Sequence, residues 1–329
     1  MASLHDVARL AGVSKSTVSR VMNDEYGVKE ATKVKVRRAV EQCGYVVNQV
    51  AKDLKSNKTN LIGIIVPRVT SNAVSQGVDG LSRVFEESGK QVLLANSCQQ
   101  AGKELQYLEL FNQKRVEGIV MFATHIDDEL VKAIKRSGAP VVLIGQDGSS
   151  HNIPSVIHDD YRVGYCAAEQ LHQAGCRNVG FLGVQSDDIA VDQMRFEGFC
   201  KALNYLGLPV PAFHTQGQFS IDSGREEMAQ LLRDNNKPDG VFCATDRIAI
   251  GAIQAIAAAG LAPGKDIKVI GVGNDEMASV VSPGLSTFDY AFEPAGSNAA
   301  KMLLEIIEQG RSQVAKLVLG FDWVQRKSC

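Results

Sequence analysis

Residues 4–23 read LHDVARLAGVSKSTVSRVMN, and their spacing predicts two short helices joined by a tight turn. Leu4, Val7, Ala8 and Ala11 recur at helical spacing and give a first helix, Leu4 to Ala11, one apolar face. Gly12-Val13 interrupts that pattern, because glycine lets the chain turn sharply between helices. Ser14 then carries the hydroxyl of a helix N-cap, and a second helix over Lys15 to Met22 is buried through Val18 and Val21. Its other face presents Lys15, Ser16, Ser19 and Arg20. Such a helix fits the DNA major groove, where hydroxyls meet phosphates and an arginine makes paired bonds to guanine. The same pattern also describes a small three-helix bundle with a solvated face.

Working outward, a polar stretch from Asn23 to Val28 precedes a third expected helix, Glu30 to Cys43, carrying Val34, Val36, Ala39 and Val40, with Gly44 as its stop signal. Tyr45 to Lys58 is a separate polar segment with a short helix expected at Asn48 to Lys55. Residues 1–58 hold 11 Lys/Arg against 6 Asp/Glu, while the remainder holds 24 against 31, so a net charge of −2 conceals a basic head and an acidic body. A basic head points to a polyanion.

From Leu61 the rhythm changes. Apolar runs recur at Leu61–Pro67, Gln91–Ala95, Gly118–Phe122, Pro140–Ile144 and Ser155–Ile157, and then at Val179–Gly183, Gly240–Cys243, Lys268–Gly271 and Leu285–Phe288. Runs apolar on both faces with helical segments between them imply buried parallel sheets. Two series imply two doubly wound α/β lobes, and ligands in such folds sit beyond the carboxyl ends of the strands, so a cleft between lobes is the expected ligand site.

The 329 residues are 45% hydrophobic and 22% charged, enough for two or three domains with sizeable cores. The longest apolar stretches, Ile248–Ala259 and Leu61–Pro67, are too short to span a bilayer, and no basic segment followed by an apolar one opens the chain, so no membrane association and a cytoplasmic location are expected. The seven cysteines are scattered without metal or redox spacing, and neither the six histidines nor any glycine-rich loop or nucleophile elbow marks catalysis. No enzyme activity, no catalytic residue, no metal and no cofactor are expected. A transport-type binding protein shares the expected body but not the head.

The head stretches Asp6–Ser14 and Thr17–Asn23 resemble those of the lactose/galactose repressor (LacI/GalR) family. The resemblance continues through Val28–Thr32, Gly44-Tyr45, Asn48 and Ala51–Leu54. In the body it covers His158–Tyr161 with Gly164, Arg195–Phe199, Phe242–Ala252, Val269–Gly271 and Leu285–Thr287. It implies a helix-turn-helix head over residues 1–46, a hinge helix and linker over 47–60, and a periplasmic-binding-protein-like body over 61–329. The first lobe of that body would comprise about 61–160 with 291–319, and the second about 161–290 with 320–329. It further implies a homodimer, or a higher oligomer, on a palindromic operator. By position, Ser14, Thr17 and Asn23 would hold phosphates while Lys15, Ser16 and Arg20 read bases, with Ser19 among the DNA-binding residues on the same face. Tyr45, Asn48, Ala51 and Lys55 would join the DNA contact, and Leu54 would wedge into the central minor-groove step.

For the body the family implies a small sugar or sugar phosphate in the cleft, held by polar groups that bond hydroxyls and by aromatic rings that cover the apolar face of a sugar. Arg68, Gln146, Asp147, Arg195, Phe219, Thr245, Asp246, Asn274, Asp275, Tyr290 and Phe292 fall at cleft positions, with Arg68 placed to meet a phosphate. Where many relatives have an aromatic residue and two aspartates, this chain has Gly271-Val-Gly-Asn-Asp275, so the usual aspartate position is left to Asn274 or Asp275. Val66-Pro67-Arg68 and Gly271–Glu276 resemble the sucrose-operon repressors, with a trehalose-type regulator as the alternative. A disaccharide, its phosphate or a monosaccharide, acting as inducer or co-repressor, all remain open on these residues.

Overall fold

The computed structural model describes residues 3–24, 26–45, 59–184, 188–211, 214–233 and 237–329. The helix expected at Asn48 to Lys55, with Asn48, Ala51, Leu54 and Lys55, lies outside the described residues. The chain divides into two compact units, Met1–Thr59 and Asn60–Cys329.

In the smaller unit, helices α1 (Leu4–Ala11), α2 (Lys15–Met22) and α3 (Glu30–Cys43) enclose Val7, Ala8, Val18, Val21, Val36 and Ala39. Ser3 opens α1 with a capping box: its hydroxyl accepts from the Asp6 amide at 3.3 Å while the Asp6 carboxylate accepts from the Ser3 amide at 3.0 Å. Gly12 ends α1 at φ 67°, a left-handed conformation that a side chain would strain, and its N–H caps the Ala8 and Arg9 carbonyls. Ser14 caps α2, accepting from the Thr17 amide at 3.1 Å. Val34, expected inside, is 44% exposed. Two helical positions apart is about 200° of rotation, so Val34 and Val36 cannot share the buried face.

The larger unit holds two six-stranded sheets. The first combines β1 (Leu61–Val66), β2 (Gln91–Asn96), β3 (Gly118–Phe122), β4 (Val141–Ile144), β5 (Ser155–His158) and the late strand β11 (Lys316–Leu319) in the order β11-β5-β4-β3-β1-β2, all parallel. The second combines β6 (Val179–Val184), β7 (His214–Gly217), β8 (Gly240–Cys243), β9 (Lys268–Val272), β10 (Ser286–Tyr290) and β12 (Phe321–Val324) in the order β12-β10-β9-β8-β6-β7, parallel except for antiparallel β12. β7 and β12 carry no continuous apolar run in the sequence and β11 only the short Leu317–Leu319, since half-exposed edge strands need no more.

Helices α4 (Asn72–Glu87), α5 (Ala101–Gln113), α6 (Asp128–Arg136) and α12 (Phe292–Gln309) cover the first sheet, and α7 (Asp160–Gln173), α8 (Arg195–Tyr205), α9 (Ile221–Arg233) and α10 (Asp246–Ala258) cover the second, with short α11 (Glu276–Val280) after β9. The chain crosses between sheets after β5, after β10 and between β11 and β12. Strand register sets Leu319 opposite His158 and Phe321 opposite Tyr290, so the crossings lie side by side. α7 and α8 meet through Gly164 and Gly198, where a Cβ would collide with the Arg195 and Tyr161 carbonyls respectively. Among the described residues no helix is long and apolar enough to cross a membrane, and no cluster of side chains could hold a metal ion.

Candidate functional site

The head places Ser14, Lys15, Ser16, Arg20 and Asn23 on its exposed surface, with Thr17 and Ser19 half-buried beside them. The Ser14 hydroxyl lies 2.8 Å from those of Ser16 and Thr17, so three hydroxyls gather at the start of α2, where backbone N–H groups point outward. Hydroxyls and amides at a helix N-terminus are groups that bind phosphate oxygens, and Arg20 stands one turn further along. Tyr45 packs its ring half-buried against the head core.

The body carries a cavity of about 200 Å³ where the strand ends of both sheets converge, lined by residues of both lobes. Arg195, the first residue of α8, is only 5% exposed. Its Nε and one terminal nitrogen each donate to Asp160 Oδ1 at 2.7 Å, and the other terminal nitrogen donates to the Ala244 carbonyl. Tyr290 Oη donates to the same carboxylate oxygen at 2.8 Å, and the guanidinium lies 5.1 Å from the centre of the Tyr290 ring. Burial works against the charged guanidinium, yet Tyr290 and Asp160 hold its pKa above the ordinary value.

Two further carboxylates sit deep in the cleft. Burial pushes Asp188 up to about 6 against the opposing bonds from the Val191 amide, at 3.1 Å, and Gln146 Nε2, at 3.0 Å. It likewise pushes Asp246 up to about 6, although Thr287 Oγ1 donates to it at 2.5 Å and the Asp275 amide at 2.7 Å. Thr245 caps α10 through the Ile248 amide at 3.4 Å, which fixes Asp246 at the first helical position.

Polar contacts join the lobes across this cavity. Gln146 of the first lobe bonds Asp188 of the second, Arg68 donates to the Phe219 carbonyl at 3.0 Å with its guanidinium 4.6 Å from that ring's centre, and Arg247 reaches back to the Thr70 carbonyl at 3.1 Å. Burial, followed by the like charge of Arg247, lowers the Arg68 pKa. Both cations therefore stand at one side of the cleft, beside Ser71 and the start of α4.

Of the residues singled out in the sequence for the cleft, Arg68, Gln146, Arg195, Phe219, Thr245, Asp246, Asp275, Tyr290 and Phe292 line the cavity. Asp147 and Asn274 do not. Asp147 is exposed, pairs with Lys316 Nζ at 2.9 Å and accepts from the Ser149 amide at 2.9 Å, because beyond the end of β4 the chain bends at Gly145, at φ 95°, and the loop turns Gln146 inward and Asp147 out. Asn274, at φ 48°, donates to Asp289 at 3.0 Å and accepts from Arg326 at 2.7 Å, so the next residue, Asp275, is the one that reaches the cleft. His158, Asp160, Asp188 and Arg247 line the cavity without having been singled out. His158 and Asp160 follow directly on a readable strand, so their position at its carboxyl end was the available signal. Asp188 follows a stretch without apolar period, and nothing in the residues marks it.

His158 ends β5 and is 7% exposed. Its ring stacks on Tyr290, with centroids 4.4 Å apart and planes 14° from parallel, and meets the edge of Phe292 at 5.3 Å. Burial lowers its pKa against the raising effects of Asp160 and of a hydrogen bond to the Ala291 backbone. Its Nε2 is buried without a hydrogen-bond partner among the described residues.

Comparison with known proteins agrees with both halves of this arrangement. Residues 3–48 match the model of bacterial regulatory proteins of the lacI family, and residues 168–329 match a periplasmic binding protein-like domain. The chain is 32% identical to the HTH-type transcriptional regulator RegA of Clostridium saccharobutylicum over 99% of its own length and 98% of that protein's. It is also 32% identical to the sucrose operon repressor of Staphylococcus xylosus, over 94% of each. A crystal structure of the lac repressor dimer bound to operator and the anti-inducer ONPF superposes with a TM-score of 0.91 at 27% identity, covering 99% of this chain and 98% of that one. With its helix-turn-helix head, its two-lobed body and these full-length relatives, the chain belongs to the lacI family of bacterial regulatory proteins and is a DNA-binding transcription regulator, not an enzyme.

Proposed function

We propose that this protein is a homodimeric cytoplasmic repressor of a sugar-utilisation operon whose operator affinity is set by a sugar or sugar phosphate in the body cleft. The observation that carries the sugar reading is the cavity wall itself: Arg195, Asp160 and Tyr290 in one bonded cluster, Asp188 and Asp246 beside it, and the rings of Tyr290, Phe292 and Phe219 around it. Fixed polar groups next to aromatic faces match a ligand with hydroxyls on its rim and C–H groups on its faces. Arg68 and Arg247 on one side of the cleft support a phosphorylated sugar as the second reading.

Sucrose or its phosphate is the proposed specific effector, supported by the likeness to a sucrose operon repressor; RegA stands at the same identity, so the choice rests on the ligand experiment. On DNA, Ser14, Thr17 and Asn23 would bind phosphates, Lys15, Ser16 and Arg20 would read bases, and Ser19, Tyr45, Asn48, Ala51, Leu54 and Lys55 would complete the contact on a palindromic site, Leu54 as the wedge. A ligand that favours one lobe arrangement, held by the Gln146–Asp188, Arg68–Phe219 and Arg247–Thr70 contacts, would shift operator affinity through that preference. The test is a thermal-shift screen with sucrose, trehalose, fructose, sucrose 6-phosphate and trehalose 6-phosphate, followed by fluorescence anisotropy on operator DNA with each stabilising compound. A stabilising sugar should change operator affinity by about 5- to 150-fold. A protein that no member of this panel stabilises, or whose operator affinity ignores every one that does, refutes the reading.

A further inference from the structure

We infer that His214 and Asp192 are a positioning pair for the cleft: their hydrogen bond holds the π-helical turn Ile189–Met194 in register, and through it places Asp188 and Arg195, without either member touching the ligand. The inference rests on the sugar reading of the cavity and names what holds one of its walls. Asp188 caps the turn and Arg195 follows its last residue. Asp188, Ala190, Val191 and Arg195 all line the cavity, and Asp192, in the middle of the turn, does not.

A π-helical turn closes i→i+5 bonds, so Ala190 and Arg195, five residues apart, share the cavity side while Asp192 is turned into the lobe. There Asp192 is fully buried. Its Oδ1 accepts from the Val184 amide at 3.0 Å, and both its oxygens lie 3.0 Å from His214 Nε2. A carboxylate only accepts, so Nε2 carries the proton and donates. Gly183 leaves room for this arrangement, since a Cβ there would stand 2.3 Å from Asp192 Oδ1. Turns of this kind are rare, and the surrounding structure has to favour one over the regular helix. The bonds to Asp192 do so by tying the turn to the ends of β6 and β7.

His214 is itself held in place. It opens β7 opposite Phe181 of β6, and its ring stacks on Phe196, with centroids 4.1 Å apart and planes 26° from parallel, and meets the Phe181 ring at 5.2 Å and 65°. Phe196 directly follows Arg195, so the ring that donates to Asp192 also braces the start of α8. The next residue on the strand, Thr215, donates its hydroxyl to Glu227 of α9 and accepts from the Gly183 amide at 3.3 Å. Removing the imidazole donor would leave a buried carboxylate short of a partner, a costly state that the turn can relieve only by moving. Asp188 and Arg195 would move with it, away from Gln146 and Asp160 respectively.

The experiment measures binding of sucrose, trehalose, fructose, sucrose 6-phosphate and trehalose 6-phosphate by calorimetry to the full-length wild type, His214→Phe and His214→Gln. Phenylalanine keeps a ring against Phe196 but has no donor, whereas glutamine gives up the ring and keeps an N–H. For the compound that binds wild type, affinity should fall about 10-fold in His214→Phe, the lower end of what groups that orient ligand-binding side chains contribute at metal sites, and recover in part in His214→Gln. Fluorescence of Trp323, in the same lobe, reports whether each variant is folded. The histidine ¹⁵N spectrum of the unsubstituted protein gives a second readout that does not depend on a variant's folding. It should show His214 protonated on Nε2, with that resonance shifting as the binding compound is added although the ring is not on the cavity wall. Wild-type affinity in a folded His214→Phe overturns the inference and leaves the sugar reading intact. So do an equal loss in both variants, a bare Nε2, or a resonance that ignores the bound compound. Binding of none of the five compounds to wild type overturns the sugar reading and the inference with it.

Discussion

Replacing Arg195 by methionine tests the central cluster of the cleft. Methionine keeps the apolar stem against the Tyr290 ring but removes the charge that faces Asp160, and Arg195 and Asp160 are both buried. Breaking a buried pair from one side costs about 3–5 kcal/mol, because the remaining charge keeps its desolvation penalty without its partner. Asp160 would then retain the Tyr290 hydroxyl alone, and the Ala244 carbonyl would lose its donor. The protein's one tryptophan, Trp323 on β12, packs 4.8 Å from Phe288 in the second sheet, so its fluorescence follows the lobe that contains the pair. With a urea dependence of about 2–3 kcal/mol per molar, the Arg195→Met midpoint should fall by about 1–2 M. Adding Asp160→Asn removes the stranded charge, so the double variant should be more stable than Arg195→Met, with a coupling of about 2–3 kcal/mol between the sites. A single-variant midpoint within 0.3 M of wild type, on the order of the extrapolation error, or strictly additive effects, would refute the assignment of a charge-compensated pair. Any substitution of Arg195 removes this structural pair together with a cleft-lining side chain.

Asp188 and Asp246, raised to about 6 from 3.8, hold their protons more tightly in the folded state, so their contribution to stability is present at low pH and is lost as pH rises from about 4 to 6. Asp188→Asn should therefore raise the urea midpoint at pH 7.5 by an amount equivalent to about 1–3 kcal/mol and change it little at pH 4; an equal shift at both pH values contradicts the buried-carboxylate account. Gly198→Ala drives a methyl group into the Tyr161 carbonyl where α7 crosses α8, and should cost about 1–3 kcal/mol and weaken any cleft ligand by displacing Arg195 from Asp160, whereas a fully stable variant with unchanged ligand affinity shows that the helices can part without consequence. Arg20→Ala, on the exposed side of α2, should weaken operator binding by about 1–3 kcal/mol and random DNA by less; an unchanged ratio of the two affinities in a titration removes Arg20 from base reading.

What the residues revealed beforehand depended on whether burial was two-sided. β1, β3, β4, β6 and β8 are apolar on both faces, and such strands were readable as continuous runs of Ile, Val, Leu and Phe. The head was readable for a related reason: helices of eight residues have little redundancy, so Val7, Val18 and Val21, with Gly12 between them, had to stand where the packing needs them. The edge strands β7, β11 and β12 were not, since a half-exposed strand such as His214–Gly217 is stabilised by its neighbour's backbone and leaves its side chains free to be polar. In the cleft, side-chain direction was the missing quantity. Gln146 and Asp147 are adjacent, yet only Gln146 reaches Asp188 while Asp147 turns out to Lys316, and Asn274 yields its place to Asp275 because its left-handed backbone aims its amide at Asp289 and Arg326. Spacing along a chain names which residues arrive at a strand's end, but which of two neighbours faces the ligand is decided by pleat and loop geometry. His158 shows the same limit from the other side. The sequence places a histidine at the end of β5, and only the rings of Tyr290 and Phe292, brought from more than a hundred residues away, make it a buried stacking partner in the cleft.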